Sequence, residues 1–213
     1  MSANEIINSL ITRLDEDTLN HNPYGTLCLM GDTENSPFLR AIIKKADKFG
    51  IKTVNVDSFQ SKHPMVIDLE TTIFHPGIYI LEQQDLDCIY KPGMSCVATA
   101  IYLLLKELNL ISGKTITIVG RGHSVKGLAE QLIKDDATVT VAHSKTDSLL
   151  KATMSKDVVI YATPKINKVI AYDTDELIID LGNCIEHPDW FNCEYVNGIG
   201  KLTVSVLLNR LVR

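Results

Sequence analysis

The chain has 213 residues, 45% of them hydrophobic and 22% charged, with a formal net charge of −5 at pH 7. This is the composition of an ordinary globular chain and excludes a disordered or fibrous one. The negative balance offers no footprint for nucleic acid, and no apolar run reaches the roughly 18 residues that a membrane-spanning helix needs.

Residues 3–20 carry apolar side chains at helical spacing (Ile6, Ile7, Leu10, Ile11, Leu14) and predict a helix. Thr26 to Met30 reads as a buried strand. Phe38 to Phe49 reads as a second helix, entered through Asn35-Ser36-Pro37 and stopped by Gly50. Lys52 to Val56 is a strand, while residues 57–76 fit neither period. Gly77 to Leu81 reads as a third strand, and a polar turn follows through Gln83 to Asp87. An apolar helix over residues 94–108 is closed by Asn109 and Gly113.

Beyond it the pattern is cleaner. Thr115 to Val119 is a β-branched strand, Ser124 to Lys134 an amphipathic helix, and Ala137 to Ala142 the next strand. A short helix over Asp147 to Met154, strands at Val158 to Tyr161 and Leu177 to Leu181, and a helix over residues 200–212 complete the chain. Such alternation predicts an α/β fold of two α/β lobes around a cleft with mainly parallel sheets, and the turn Gly120-Arg121-Gly122 between a strand and a helix makes the second lobe a Rossmann-type NAD(P)-binding domain. The expected seam lies near residue 110, with lobes at 1–110 and 111–213 and the last helix packing back on the first lobe.

The five cysteines form no C-x-x-C pair, which points to free thiols in a reducing compartment. The N-terminus carries no basic, apolar leader, so a cytoplasmic location is expected.

The strand at Thr115 to Val119 runs straight into Gly120-Arg121-Gly122. A glycine turn there permits close backbone approach to a dinucleotide pyrophosphate, with helix N–H groups as donors. The alternative is a plain strand-to-helix turn, since the third glycine of the usual pattern is Val125. The next strand ends in Ala142-His143-Ser144-Lys145, with no acid to hold a ribose 2′-hydroxyl. A 2′-phosphate suits Lys145, Ser144 and nearby Arg121 better, so NADP is the expected cofactor and NAD the second candidate.

Gly120-Arg121-Gly122-His123-Ser124-Val125 and Ala137-Thr138-Val139-Thr140-Val141-Ala142-His143-Ser144-Lys145-Thr146 together resemble the methylenetetrahydrofolate dehydrogenase/methenyltetrahydrofolate cyclohydrolase family. That family reads G-R-S-x-x-V-G and then A-T-V-T-x-C-H-S-x-T. Further stretches are similar in order: Asp85-Leu86-Asp87 to D-V-D, Ser95 to Ala100 to P-C-T-P-x-G, Lys156 to Ala162 to the third Rossmann strand. Ile178-Ile179-Asp180-Leu181-Gly182 matches V-I-D-x-G, and Asn197 to Thr203 matches G-G-V-G-P-M-T.

The resemblance implies an NADP-dependent methylenetetrahydrofolate dehydrogenase-like oxidoreductase of one-carbon metabolism, with a folate-type ligand and a homodimer. It implies cofactor contacts from Gly120, Arg121, Gly122, His123, Ser124, His143, Ser144, Lys145, Thr146, Ala162, Thr163 and Ile199, and substrate contact from Asp87. An exposed turn aspartate is the plain alternative for Asp87.

The departures are concentrated in the first lobe. The family's Y-x-x-x-K helix has Phe38 and Ile42 in its tyrosine and lysine positions, and the Q-L-P-L-P segment is replaced by Tyr79 to Gln83. Hydride transfer mainly needs positioning, whereas ring opening needs proton handling. Cyclohydrolase activity is therefore expected to be lost, and Lys44 and Lys45 lie rotated away from the face of Ile42. The alternative is a non-catalytic NADP- or folate-binding protein derived from the family. No histidine or cysteine has companions at metal-ligand spacing, so no metal is expected.

Overall fold

The computed structural model describes residues 1–21, 26–55, 65–67, 85–89, 91–163, 174–185, 188 and 192–212. They divide into two compact units: Met1–Leu10 with Val97–Ile199, and Ile11–Cys96 with Gly200–Arg213. The divisions at Leu10 and Cys96 fall within helices α1 (Ala3–Asn20) and α3 (Cys96–Glu107).

The unit containing Val97–Ile199 is built on a five-stranded sheet of β4 (Thr115–Val119), β5 (Thr138–Ala142), β6 (Lys156–Tyr161), β7 (Thr174–Asp180) and β8 (Glu194–Asn197). Its order is β5-β4-β6-β7-β8, and every neighbouring pair is parallel. The chain steps from β4 outward to β5, returns across β4 to β6, and then continues to β7 and β8. That reversal lies between the carboxyl ends of β4 and β6, the place where doubly wound sheets receive ligands.

Why these residues make such a sheet follows from burial. Ile116, Ile118, Val158, Ile160, Leu177 and Ile179 are buried on one face, and Val119, Val159, Tyr161 and Ile178 on the other. Strands covered on both faces need continuous apolar runs, and β4, β6 and β7 supply them. The second face is closed by α5 (Leu149–Thr153), with the Thr117 hydroxyl donating to the Ala152 carbonyl at 2.7 Å. At the amino ends, Asp157 Oδ2 accepts from the Thr115 N–H at 2.7 Å and its hydroxyl at 2.6 Å. Lys114 adds ion pairs to Glu176 at 2.5 Å and Asp157 at 3.5 Å.

In the other unit, β1 (Thr26–Met30) is flanked by β2 (Lys52–Asn55) and β3 (Met65–Ile67), again all parallel. Helix α2 (Pro37–Lys48) starts at Ser36, whose hydroxyl oxygen accepts the Leu39 N–H at 3.1 Å, with Pro37 in the first turn. It buries Leu39, Ile42 and Ala46 along one stripe. Helix α6 (Gly200–Leu211) is buried continuously from Leu202 to Asn209, with the polar Thr203, Ser205 and Asn209 among the buried residues. Asn209 donates to Asp17 Oδ2 at 2.7 Å, tying α6 to α1.

The structure corrects the expected elements in several places. Ser124 to Lys134 is not one helix. It is a 3-10 turn at His123–Val125, a left-handed Gly127 (φ 76°), and then α4 (Leu128–Lys134). The ambiguous stretch holds β3, and a strand not expected at all, β8, closes one edge of the larger sheet. The expected strand at Gly77 to Leu81 lies outside the described residues. No helix among the described residues is long and apolar enough to cross a membrane.

Candidate nucleotide site

All five strands of the larger sheet run parallel, so the loops leaving their carboxyl ends emerge on one side, and hydrogen bonds join them in pairs. The Gly120 N–H donates to the Ala142 carbonyl at 2.8 Å, linking the ends of β4 and β5. The Ala162 N–H donates to the Val119 carbonyl at 2.8 Å, and the Leu181 N–H to the Tyr161 carbonyl at 2.9 Å.

At the switch point the fit is tight enough to dictate residue type. A Cβ on Gly120 would stand 2.5 Å from the Ala162 carbonyl oxygen, and the glycine holds φ at +123°. No L side chain tolerates both. Gly182 is constrained by space alone, a Cβ there falling 2.2 Å from the Thr163 carbonyl oxygen. Gly122 is different. Its φ is −75° and a Cβ would meet nothing within 4 Å, so the fold leaves open space above it.

A cavity of about 420 Å³ opens beside this turn, lined by Gly120, Arg121, Gly122, His123, Lys126 and Glu130 among others. Ser124 sits in the 3-10 turn but does not line the cavity. Its walls hold two fixed cations and one acid. The helix beyond begins only at Leu128, so the N–H donors expected from Ser124 onward are not arranged as an α-helix start.

The turn after β5 is held by its own side chains. The His143 N–H donates to Thr146 Oγ1 at 2.9 Å, and the Lys145 N–H to His143 Nδ1 at 3.1 Å. Accepting there puts the ring proton of neutral His143 on Nε2. His143 and Thr146 thus staple the turn, while Ser144 and Lys145 are exposed. Neither pair lines the cavity beside Gly120. Ala162 and Thr163 follow β6, and Ile199 is buried at the end of the unit's last segment.

Two features escaped the sequence reading. Asp180 is fully buried at the end of β7. Its carboxylate accepts from the N–H groups of Gly182, Cys184 and Ile185 at 3.0–3.1 Å and from the Tyr195 hydroxyl at 3.1 Å. Burial, together with the Asp180 charge, pushes the Tyr195 phenol up to about 12. The D-x-G spacing was visible, but nothing in it announced four donors. Lys126 was likewise not singled out, since it reads as one more surface lysine.

In the other unit Asp87 is buried rather than exposed, and its Oδ1 accepts the Cys96 N–H at 2.6 Å, capping α3. Burial and then the Asp87 charge push the Cys96 thiol well above its ordinary range. Arg210 of α6 donates to the Leu86 and Met94 carbonyls, each at 2.9 Å, and so fixes the turn that carries Asp87. Ile42 is fully buried and Phe38 half-buried on α2. Lys45 is committed to Asp15, at 2.7 Å, and to the Ser205 hydroxyl.

Residues 95–189 match the tetrahydrofolate dehydrogenase/cyclohydrolase NAD(P)-binding domain. That stretch is similar to the tetrahydrofolate dehydrogenase/cyclohydrolase family, and the likeness to individual members continues along the rest of the chain at lower identity. A bifunctional protein FolD of Campylobacter hominis is 33% identical over 137 residues, covering 55% of this chain and 48% of the relative. In that match the chain therefore spans about half the relative's length. A FolD of Rickettsia peacockii is 28% identical across 99% of this chain and 93% of its own.

Among solved structures, the Trypanosoma brucei methylenetetrahydrofolate dehydrogenase-cyclohydrolase, complexed with NADP and an inhibitor, superposes with a TM-score of 0.75 at 21% identity. It covers 100% of this chain and 95% of that one. The Thermoplasma acidophilum enzyme gives 0.72 at 18%, covering 100% and 96%. At such identities the likeness speaks for the α/β fold of this family and its Rossmann-like sheet.

Proposed function

We propose that this chain is a member of the tetrahydrofolate dehydrogenase/cyclohydrolase family, that it binds NADP at the switch point of its larger sheet and that it passes NADP a hydride from methylenetetrahydrofolate. The observation that carries the reading is the Gly120 turn. It is pressed against Ala162 so that only glycine fits, and it opens onto a cavity whose fixed charges are Arg121, Lys126 and one acid. No carboxylate stands in the turn after β5, where an NAD-specific site carries one.

When bound, NADP supplies the hydride-accepting carbon; the chain's own task is to hold donor and acceptor at reacting distance. The backbone of Gly120, Arg121, Gly122 and His123, with Ser124 beyond, faces the pyrophosphate end. Arg121, Ser144 and Lys145 face the adenosine ribose. His143 and Thr146 shape that second turn, and Ala162, Thr163 and Ile199 bound the nicotinamide side. Asp87 is the substrate-facing acid, with one oxygen already engaged in capping α3.

Ring opening by water is the half of the family reaction that we assign as lost. Phe38 and Ile42 have no group that donates or accepts a proton, and Lys45 is held by Asp15 and Ser205. The same residues favour a second reading, a non-catalytic NADP- or folate-binding protein. A cytoplasmic homodimer completes the proposal. Its support is the cysteines, none of them in a disulfide, and β5, which among the described residues is an edge strand with Thr138, Thr140 and Val141 exposed.

Two assays on the purified chain decide between these readings. NADP reduction with methylenetetrahydrofolate is followed at the reduced-nicotinamide absorbance, and methenyltetrahydrofolate hydrolysis is followed separately. The proposal expects the first and no hydrolysis above the uncatalysed rate. NADP binding without either reaction would favour the non-catalytic reading, and brisk hydrolysis would overturn the assigned loss.

A further inference from the structure

The cavity beside Gly120 holds a cation that the family's pattern does not carry. G-R-S-x-x-V-G ends in glycine at the position of Lys126, and in this chain the glycine is displaced by one residue to Gly127. The displacement has a structural consequence. Gly127 takes the left-handed conformation (φ 76°) that opens α4, and Lys126 keeps an ordinary φ of −56° that any side chain accepts. Position 126 of this chain therefore makes no demand for glycine and carries a long basic side chain.

Lys126 is half-buried and lines the same cavity as Arg121, beside the end of the edge strand at Val141. The remaining titratable groups of the lining are His123 and Glu130. The fixed charge there is positive by one, and with Glu130 alone against two cations an added phosphate dianion meets a net attraction. Lys145, by contrast, does not line the cavity.

We propose that Lys126 is a specificity-determining residue for the cofactor: with Arg121 it binds the 2′-phosphate that distinguishes NADP from NAD. This rests on the reading of the site as a dinucleotide site. An ammonium and a guanidinium on one phosphate make a point charge and a fork, and both bonds are charge-assisted. NAD, with a hydroxyl in that place, gains nothing from the ammonium.

Calorimetric titration of the full chain with NADP, NAD and adenosine 2′,5′-bisphosphate tests it, using wild type, Lys126→Met and Lys126→Arg. Loss of one charge-assisted contact should weaken NADP and the bisphosphate about tenfold in Lys126→Met and leave NAD within twofold. Lys126→Arg should retain most of the preference. The wild-type affinity for NADP should also fall more steeply with salt than that of Lys126→Met. Equal losses for NADP and NAD would overturn the proposal, because the lysine would then serve the shared pyrophosphate or the fold. An unchanged NADP affinity in Lys126→Met would overturn it equally, leaving the dinucleotide reading intact. A wild type that binds none of the three ligands would instead remove the dinucleotide reading, and this inference with it.

Discussion

Gly120 and Gly122 stand two residues apart in one motif, yet the fold asks different things of them. Gly120 needs both a φ of +123° and the absence of a Cβ, because the Ala162 carbonyl oxygen occupies that place at 2.5 Å. Gly122 needs neither. Gly120→Ala should therefore lose roughly 1–3 kcal/mol from backbone strain, with the overlap on Ala162 added to it, and should abolish nucleotide binding. Gly122→Ser, which restores the family's residue, should stay within about 0.5 kcal/mol of wild type. Urea denaturation of the two variants checks the contrast, and equal stabilities would mean that the switch point is looser than described. Sequence spacing showed both glycines but ranked them alike. Only the neighbouring loop after β6 tells them apart.

At the scale of elements, β4 was legible to the residue, because five β-branched positions between Lys114 and Gly120 admit no other reading. β8 was not. Glu194-Tyr195-Val196-Asn197 is short and polar, and it becomes a strand because β7 offers it an open edge, Leu177 pairing with Glu194. The amino ends of β4 and β6 carry a staple that sequence reasoning also missed. Two hydrogen bonds from Thr115, foremost the one from its hydroxyl, hold the Asp157 carboxyl below its ordinary pKa, with help from Lys114. A lowered folded pKa stabilises the native state above the ordinary carboxylate range near 3.8 and loses that contribution as pH falls through the lowered value. Asp157→Asn should cost about 1 kcal/mol at pH 7, given the group's partial exposure, and should flatten the acid limb of the stability curve below about pH 4. Parallel acid limbs for variant and wild type would place the titrating group elsewhere.

At the scale of the molecule, β5 has no strand partner on its outer side among the described residues, and Thr138 and Thr140 are exposed along that edge of the five-stranded sheet. A two-fold axis beside β5 would join two such edges and hide both. Light scattering of the purified chain should then give twice 23.6 kDa at micromolar concentration. Thr140→Lys, which sets like charges near the axis, should shift the mass toward the monomer without lowering the melting temperature of the fold. A wild-type monomer would remove the dimer from the proposal.

By itself the sequence determined the α/β class, the parallel order implied by alternating strands and helices, the glycine turn after β4, and the lack of an acid from Ala142 to Thr146 at the end of β5. Those are local properties: periodicity, β-branching, turn chemistry and charge at a position. The tertiary structure decided what depends on neighbours far along the chain. It broke the expected helix at Gly127, recruited β8 to the edge of β7, buried Asp87 as a cap on α3, and gave Asp180 its four donors. It also separated Lys126, which lines the cavity, from Lys145, which does not. The physical reason is the same in each case. A residue's surroundings are set by strands and loops that pack against it from elsewhere in the sequence, and no window of neighbouring residues contains them.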